Sequence, residues 1–150
     1  MAVRIQPSAF DAGAELMALT RGRGDIGASV TFIGQVREMS GGGALRMLTL
    51  EHYPAMAHAE LERIERQAHA RFDIVDLTII HRFGDLAPGE PIVLVIATAR
   101  ARQPAFDAAN FVMDYLKTDA PFWKKEHGAA GARWVDARAT DDAARDRWRR

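Results

Sequence analysis

Apolar residues in this chain recur at two spacings, and the spacing changes from one segment to the next. Val3 to Ile5 alternates apolar and polar positions and predicts a short strand. Ala9 to Thr20 sets Phe10, Leu16 and Leu19 at packing positions of a helix, and Arg21-Gly-Arg-Gly-Asp25 closes it as a polar turn. Ala28 to Val36 is rich in β-branched and aromatic residues and predicts a strand. Leu45 to Tyr53 predicts a second one, with Leu48 and Leu50 alternating against Thr49 and Glu51. The Glu38-Met-Ser-Gly-Gly-Gly43 connection predicts that these two strands form a hairpin whose flexible tip is either a lid or a plain loop. Pro54 suits the first turn of a helix. Ala55 to Phe72 then carries Leu61, Ile64, Ala68 and Phe72 on one face, with Glu60, Glu62, Arg63, Glu65 and Arg66 largely outward. Asp73 to Arg82 predicts a strand and Phe83 to Glu90 a turn-rich stretch. Pro91 to Ala99 is almost wholly apolar, as expected of a central strand covered on both faces. A helix over Pro104 to Lys117 buries Phe106, Ala109, Met113 and Leu116. Pro121, Phe122 and Trp123 turn the chain, and Arg133 to Ala137 predicts a last short strand. Asp141 to Arg150 reads as a charged, helix-compatible segment whose end is either solvated or laid on a partner. The order β-α-β-β-α-β-β-α-β-β predicts an α+β fold with a mostly antiparallel sheet, in a single domain over 1–150 that ends in a charged tail from about 139.

Composition narrows the chemistry. The 150 residues suffice for one real core. Twenty basic residues balance twenty acidic ones, so no global field recruits nucleic acid or a membrane surface. No apolar run reaches membrane-spanning length, and Met-Ala-Val-Arg-Ile-Gln-Pro7 lacks the apolar stretch of a signal peptide, which makes the cytoplasm the expected location. There is no cysteine, which removes disulfides, thiolate zinc sites and cysteine nucleophiles. Any sulfur handled by this chain must arrive on a partner or substrate. His52, His58, His69, His81 and His127 form no recognised ligand spacing, so neither a metal nor a cofactor is expected.

Candidate chemistry gathers around Lys117-Thr-Asp-Ala-Pro-Phe-Trp-Lys-Lys-Glu126. Lys117 ends a predicted helix and Lys124 follows a Pro/aromatic turn. Two ammonium groups set close together favour an anionic ligand and depress each other's pKa, which suits a nucleophile or proton donor. The same pattern also suits a plain helix end with an aromatic anchor. Arg37 and Arg102 also fall at ends of predicted elements, where a rigid scaffold commonly carries functional groups. Arginine grips phosphate or carboxylate in two places at once.

Thr31-Phe-Ile-Gly-Gln-Val-Arg37, Leu48-Thr-Leu-Glu-His-Tyr-Pro54, Ile80-His-Arg-Phe-Gly-Asp-Leu86 and Met113-Asp-Tyr-Leu-Lys-Thr-Asp-Ala-Pro-Phe-Trp-Lys-Lys-Glu126 together resemble the large, catalytic subunit family of molybdopterin synthase, and Arg133-Trp134-Val135 fits the same pattern. The resemblance covers roughly Val3 to Ala139. It implies an α/β hammerhead fold and a homodimer that binds two copies of a small ubiquitin-like sulfur carrier, making a heterotetramer. It also implies a sulfurtransferase that moves two sulfurs from the carrier's Gly-Gly thiocarboxylate to cyclic pyranopterin monophosphate, forming the dithiolene of molybdopterin. The site positions it implies are Gln35, Val36, Arg37, Ala101, Arg102, Lys117, Lys124, Lys125 and Glu126. Lys117 is the first candidate for catalysis and Lys124 for stabilising developing charge. Phe32, Met113 and Phe122 either line a channel for the carrier tail or pack in the core. Ala101 stands where many members carry histidine, and Gln35 where many carry lysine, so details of substrate binding differ here. The competing expectation is a non-catalytic homologue that only docks a ubiquitin-like carrier.

Overall fold

The computed structural model describes residues 2–40, 43–119, 121–135 and 139–149. Among them the order is β1 (Ala2–Gln6), α1 (Ala12–Thr20), β2 (Ala28–Gln35), β3 (Met39–Ser40), β4 (Gly43–His52), α2 (Pro54–Arg71), β5 (Ile74–Arg82), β6 (Gly84–Leu86), β7 (Pro91–Ala99), α3 (Arg102–Leu116), β8 (Phe122–Gly128), β9 (Gly131–Val135), α4 (Ala139–Asp146) and a 3₁₀ turn over Arg147–Arg149. The strands form two sheets. The first runs β1-β5-β7-β2, and its only parallel pairing is β1 with β5. The second runs β3-β4-β8-β9, with β6 also on β4, and is antiparallel throughout.

The apolar run of β7 is central, as its composition predicts: Val93 to Ala99 are all buried. Alternation along the strand divides its side chains between two helical layers. Val93, Val95 and Ala97 join Leu77 and Ile79 against Leu61, Ile64 and Ala68 of α2 and Ala108, Phe111 and Val112 of α3. Leu94 and Ile96 join Ile80 on the other face, where Phe10, Leu16 and Leu19 cover them. Asp11 starts α1 by accepting a hydrogen bond from the Ala14 amide at 3.0 Å. The three layers thus follow from an all-apolar central strand that needs cover on both sides.

The predicted hairpin between the strands at 28–36 and 45–53 does not form. β2 pairs with β7 in the first sheet, whereas β4 pairs with β8 in the second. Only the short β3 folds back on β4, and the glycines 41 and 42 of the predicted flexible tip lie outside the described residues. The turn-rich stretch holds β6, which pairs Gly84–Leu86 with β4. Phe122 and Trp123 do not turn the chain but begin β8. The final strand spans Gly131–Val135, and residues 136 and 137 of its predicted end lie outside the described residues. The C-terminal segment is no free tail, because Trp148 packs edge-on against Phe72 and Phe111. The differences among the strands share one origin. Short strands gain their stability from cross-strand partners that are distant in sequence, and local propensity does not report those partners.

Candidate active site

Residues Gly34, Val93, His81 and Ile5 form one row across the first sheet, near the end where β2 finishes. The second sheet meets the first at this row. Phe122, the first residue of β8, stacks on His81 with ring centroids 3.8 Å apart and 10° between planes. His52, its cross-strand partner on β4, also stacks on Phe122 at 5.7 Å and lies 4.3 Å from Phe83. His81 is 7% exposed, and its Nδ1 lies 2.8 Å from the Arg82 carbonyl oxygen. A carbonyl only accepts, so Nδ1 carries the proton and donates, which leaves Nε2 with its lone pair. Burial pushes the His81 pKa down to about 4, and the nearby positive charges of Lys124 and His52 act in the same direction. His52 is also pushed down by burial. Beside these rings Arg82, 5% exposed, donates to the carbonyls of Pro7 and Pro91 and ties the start of the chain to β7.

Strand alternation decides which β8 side chains face this junction. Lys124 pairs with Leu50 and Glu126 with Leu48, and directly opposed residues share a face. Leu48 and Leu50 are buried with Val36 and Leu86. Phe122, Lys124 and Glu126 therefore lie on the inner face. Lys125 lies on the outer face, where its Nζ sits 5.4 Å from the centroid of the Trp134 ring. The structure separates two adjacent lysines that the sequence places together. The outer face also holds Trp123 against Tyr53, a 400 Å³ depression lined by Glu51, His52, Tyr53, Trp123 and Trp134, and a Thr49 hydroxyl bonded to Asp85 and His127. A second, more apolar cavity of 710 Å³ lies between Ile5, His52, Phe83 and the first turns of α2. Neither is lined by Arg37, Arg102, Lys117 or Lys124.

Arg37 and Lys117 lie at the same end as Lys124. A bulge between Gly34 and Gln35 ends the regular pairing of β2 with β7. Val36 then turns inward onto Leu48 and Leu50, held by bonds to Glu90 and Gly89, while Gln35 and Arg37 are exposed. α3 follows β7 through a two-residue link and packs back along β7 and β2. It therefore runs in the same direction as β2, and its last turn lies near the end of that strand. Lys117 occupies the C-cap with an exposed side chain, where the helix dipole favours a cation. Met113 and Phe122 are half-buried against the main core, while Phe32 is 40% exposed on the free edge of β2.

Ala101 and Arg102 do not join this group within one chain. They open α3, whose 15 residues span about 22 Å. Ala28 and Ala99 pair at that same far end of the sheet. Both Ala101 and Arg102 are exposed there. The residues that sequence reasoning missed are His81, His52 and Arg82. A polar His-Arg pair directly after the apolar Ile79-Ile80 of β5 is the signal that marks His81 and Arg82 as deliberate burial.

These features define a two-sheet α+β domain that carries a helix-end lysine, a strand lysine and a loop arginine towards the end of the fold that also holds a buried histidine. Comparison with known proteins places it further. The family model described as MoaE protein matches residues 5–119. A Rhizobium meliloti protein named molybdopterin synthase catalytic subunit is 57% identical over 150 residues, covering 99% of this chain and 96% of its own. The Burkholderia ambifaria structure titled molybdopterin biosynthesis MoaE protein superposes with a TM-score of 0.84 at 48% identity, covering 100% of this chain and 99% of its own. Molybdopterin synthase from Staphylococcus aureus superposes with a TM-score of 0.80 at 27% identity, covering 88% of this chain and 95% of its own. The chain belongs to the MoaE family.

Proposed function

We propose that this chain is the catalytic subunit of a molybdopterin synthase and works as a sulfurtransferase. A small ubiquitin-like carrier presents its C-terminal Gly-Gly thiocarboxylate, and two such deliveries convert cyclic pyranopterin monophosphate to the dithiolene of molybdopterin. The observation that carries this reading is the convergence of Arg37, Lys117 and Lys124 at one end of the first sheet, in a chain that has no cysteine of its own. Arg37, with Gln35 and the backbone of Val36, holds the phosphate or the pterin-side anions. Lys117 acts on the carrier's carbonyl as acid/base or transient nucleophile. Lys124 stabilises the negative charge that develops, and Glu126 shares its face. Lys125, on the opposite face, contributes from the rim beside Trp134.

Arg102 serves the same site from a second copy. A two-fold pairing that runs α3 and β2 antiparallel to their partners sets each Arg102 near the other protomer's Lys117. Among the described residues β2 is an edge strand of the first sheet, and Phe32, Ile33 and Phe106 of β2 and α3 are 40%, 40% and 51% exposed, which favours this edge as the surface for the pairing. The test is a single-turnover reaction of the protein with cyclic pyranopterin monophosphate and thiocarboxylated carrier, with Lys117→Ala in parallel. Dithiolene product from the wild type and almost none from the variant supports the reading. A folded wild type that binds the carrier but forms no product refutes it and leaves a docking module.

A further inference from the structure

α4 and the 3₁₀ turn after it are packed elements that the proposed chemistry does not use. They lie along the C-terminal end of α3, beside Lys117. Trp148 fills a site between Phe72 and Phe111, with the Arg71 guanidinium 5.6 Å from its ring centroid and bonded to its carbonyl. Arg145, Arg147 and Trp148 of this segment reach two carboxylates outside it. Asp114 accepts from Trp148 Nε1 at 2.7 Å and from Arg147 at 2.9 Å. Asp119 accepts from Arg145 at 2.8 Å, with Arg63 of α2 at 3.6 Å from its other oxygen.

Asp114 stands three residues before Lys117 and Asp119 two residues after it. The first spacing is the one at which a carboxylate and an ammonium on a helix pair with each other. The second sits in the same turn. Both carboxylates are occupied by the C-terminal segment instead, and Lys117 forms no ion pair with any described residue. We propose that Arg145 and Arg147 are positioning residues for Lys117: by engaging Asp119 and Asp114 they keep its ammonium out of an internal ion pair and available to an anionic substrate. This inference rests on the reading of Lys117 as the reacting lysine. The charged and titratable groups around that turn are Asp114 and Tyr115 on α3, Asp119 after it, Arg145 and Arg147 on the C-terminal segment together with Asp142 and Asp146, which also pair with Arg145, and Arg63 with its partner Glu60 on α2.

The test is a titration of Lys117 in the full-length chain, labelled with [¹³C]lysine and followed by NMR, the resonance being assigned with Lys117→Arg. Freeing one partly exposed carboxylate within reach of an ammonium raises its pKa by about half a pH unit. R145Q is expected to show that upward shift, together with about a threefold loss in single-turnover rate near neutral pH. Adding Asp119→Asn to R145Q removes the freed charge and returns both values to those of the wild type. If R145Q also releases Trp148, seen as a change in its fluorescence, Asp114 is freed as well; the shift grows and Asp114→Asn completes the return. An unshifted Lys117 in folded R145Q overturns the proposal. So does a shift that Asp119→Asn fails to reverse, since a merely structural brace is indifferent to the carboxylate's charge. The titration needs no substrate, so a wild type that makes no product condemns the sulfurtransferase reading and leaves this measurement standing.

Discussion

Acidification reaches this fold through His81. The ring is buried, stacked on Phe122 and neutral, with a pKa of about 4 in the folded chain against 6.5 for a free ring. Between these values the unfolded chain binds a proton that the folded chain refuses. The stability contributed by the neutral ring is therefore full above pH 6.5 and lost as the pH falls towards 4. At pH 5 the unfolded ring is almost wholly protonated and the folded ring is about one-tenth protonated, a difference of about 2 kcal/mol, against about 0.2 kcal/mol at pH 7. Urea unfolding followed by tryptophan fluorescence at pH 7, 6 and 5, on the wild type and His81→Asn, reads this directly. Asparagine keeps an N–H for the Arg82 carbonyl but cannot titrate. The variant is less stable at pH 7 by about 1 kcal/mol for the lost ring contact. It should nevertheless lose about 2 kcal/mol less than the wild type between pH 7 and pH 5. His69, also pushed down by burial, titrates in both proteins and cancels in the comparison. Parallel pH dependences would refute the argument and mean that the ring accepts its proton without cost.

Other outcomes follow from packing and from the proposed two-fold. A Cβ built on Gly27 meets the Arg100 carbonyl oxygen at 2.2 Å, and both segments are backbone, so Gly27→Ala should destabilise by about 2 kcal/mol or more in urea unfolding. Phe111, 1% exposed between the first sheet and Trp148, should cost about 3–5 kcal/mol on truncation to alanine, with a matching fall in melting temperature. Arg102→Ala and Lys117→Ala, each inactive alone, should recover about a quarter of wild-type activity when unfolded together and refolded as a mixture, because half the dimers then hold one intact site out of two. No recovery with mixed dimers present would place Arg102 outside the partner's site.

Much of the main sheet was legible because its signals are local. The apolar run of β7 marks a strand covered on both faces, and the 3–4 spacing of Leu61, Ile64 and Ala68 marks the buried stripe of α2. The second sheet was less legible. β8 carries Trp-Lys-Lys-Glu-His, which has little strand character by composition, and it exists because β4 and β9 flank it on both edges. The site divides in the same way. Lys117 and Arg37 sit at element ends visible in the pattern. The opposite faces of Lys124 and Lys125 required knowledge that β8 is a strand. The distance between Arg102 and Lys117 was implicit in one predicted helix, since a basic residue near each end of α3 means a separation of about the helix length.

The alternation of β8 also bears on how such a chain can vary. Because Lys124 faces the junction and Lys125 faces outward, inserting or deleting one residue between Pro121 and Glu126 would exchange the two and carry Phe122 off His81. A substitution in this stretch alters one side chain, whereas a length change inverts the whole strand. Relatives that keep the chemistry should therefore differ in the composition of this segment far more readily than in its length.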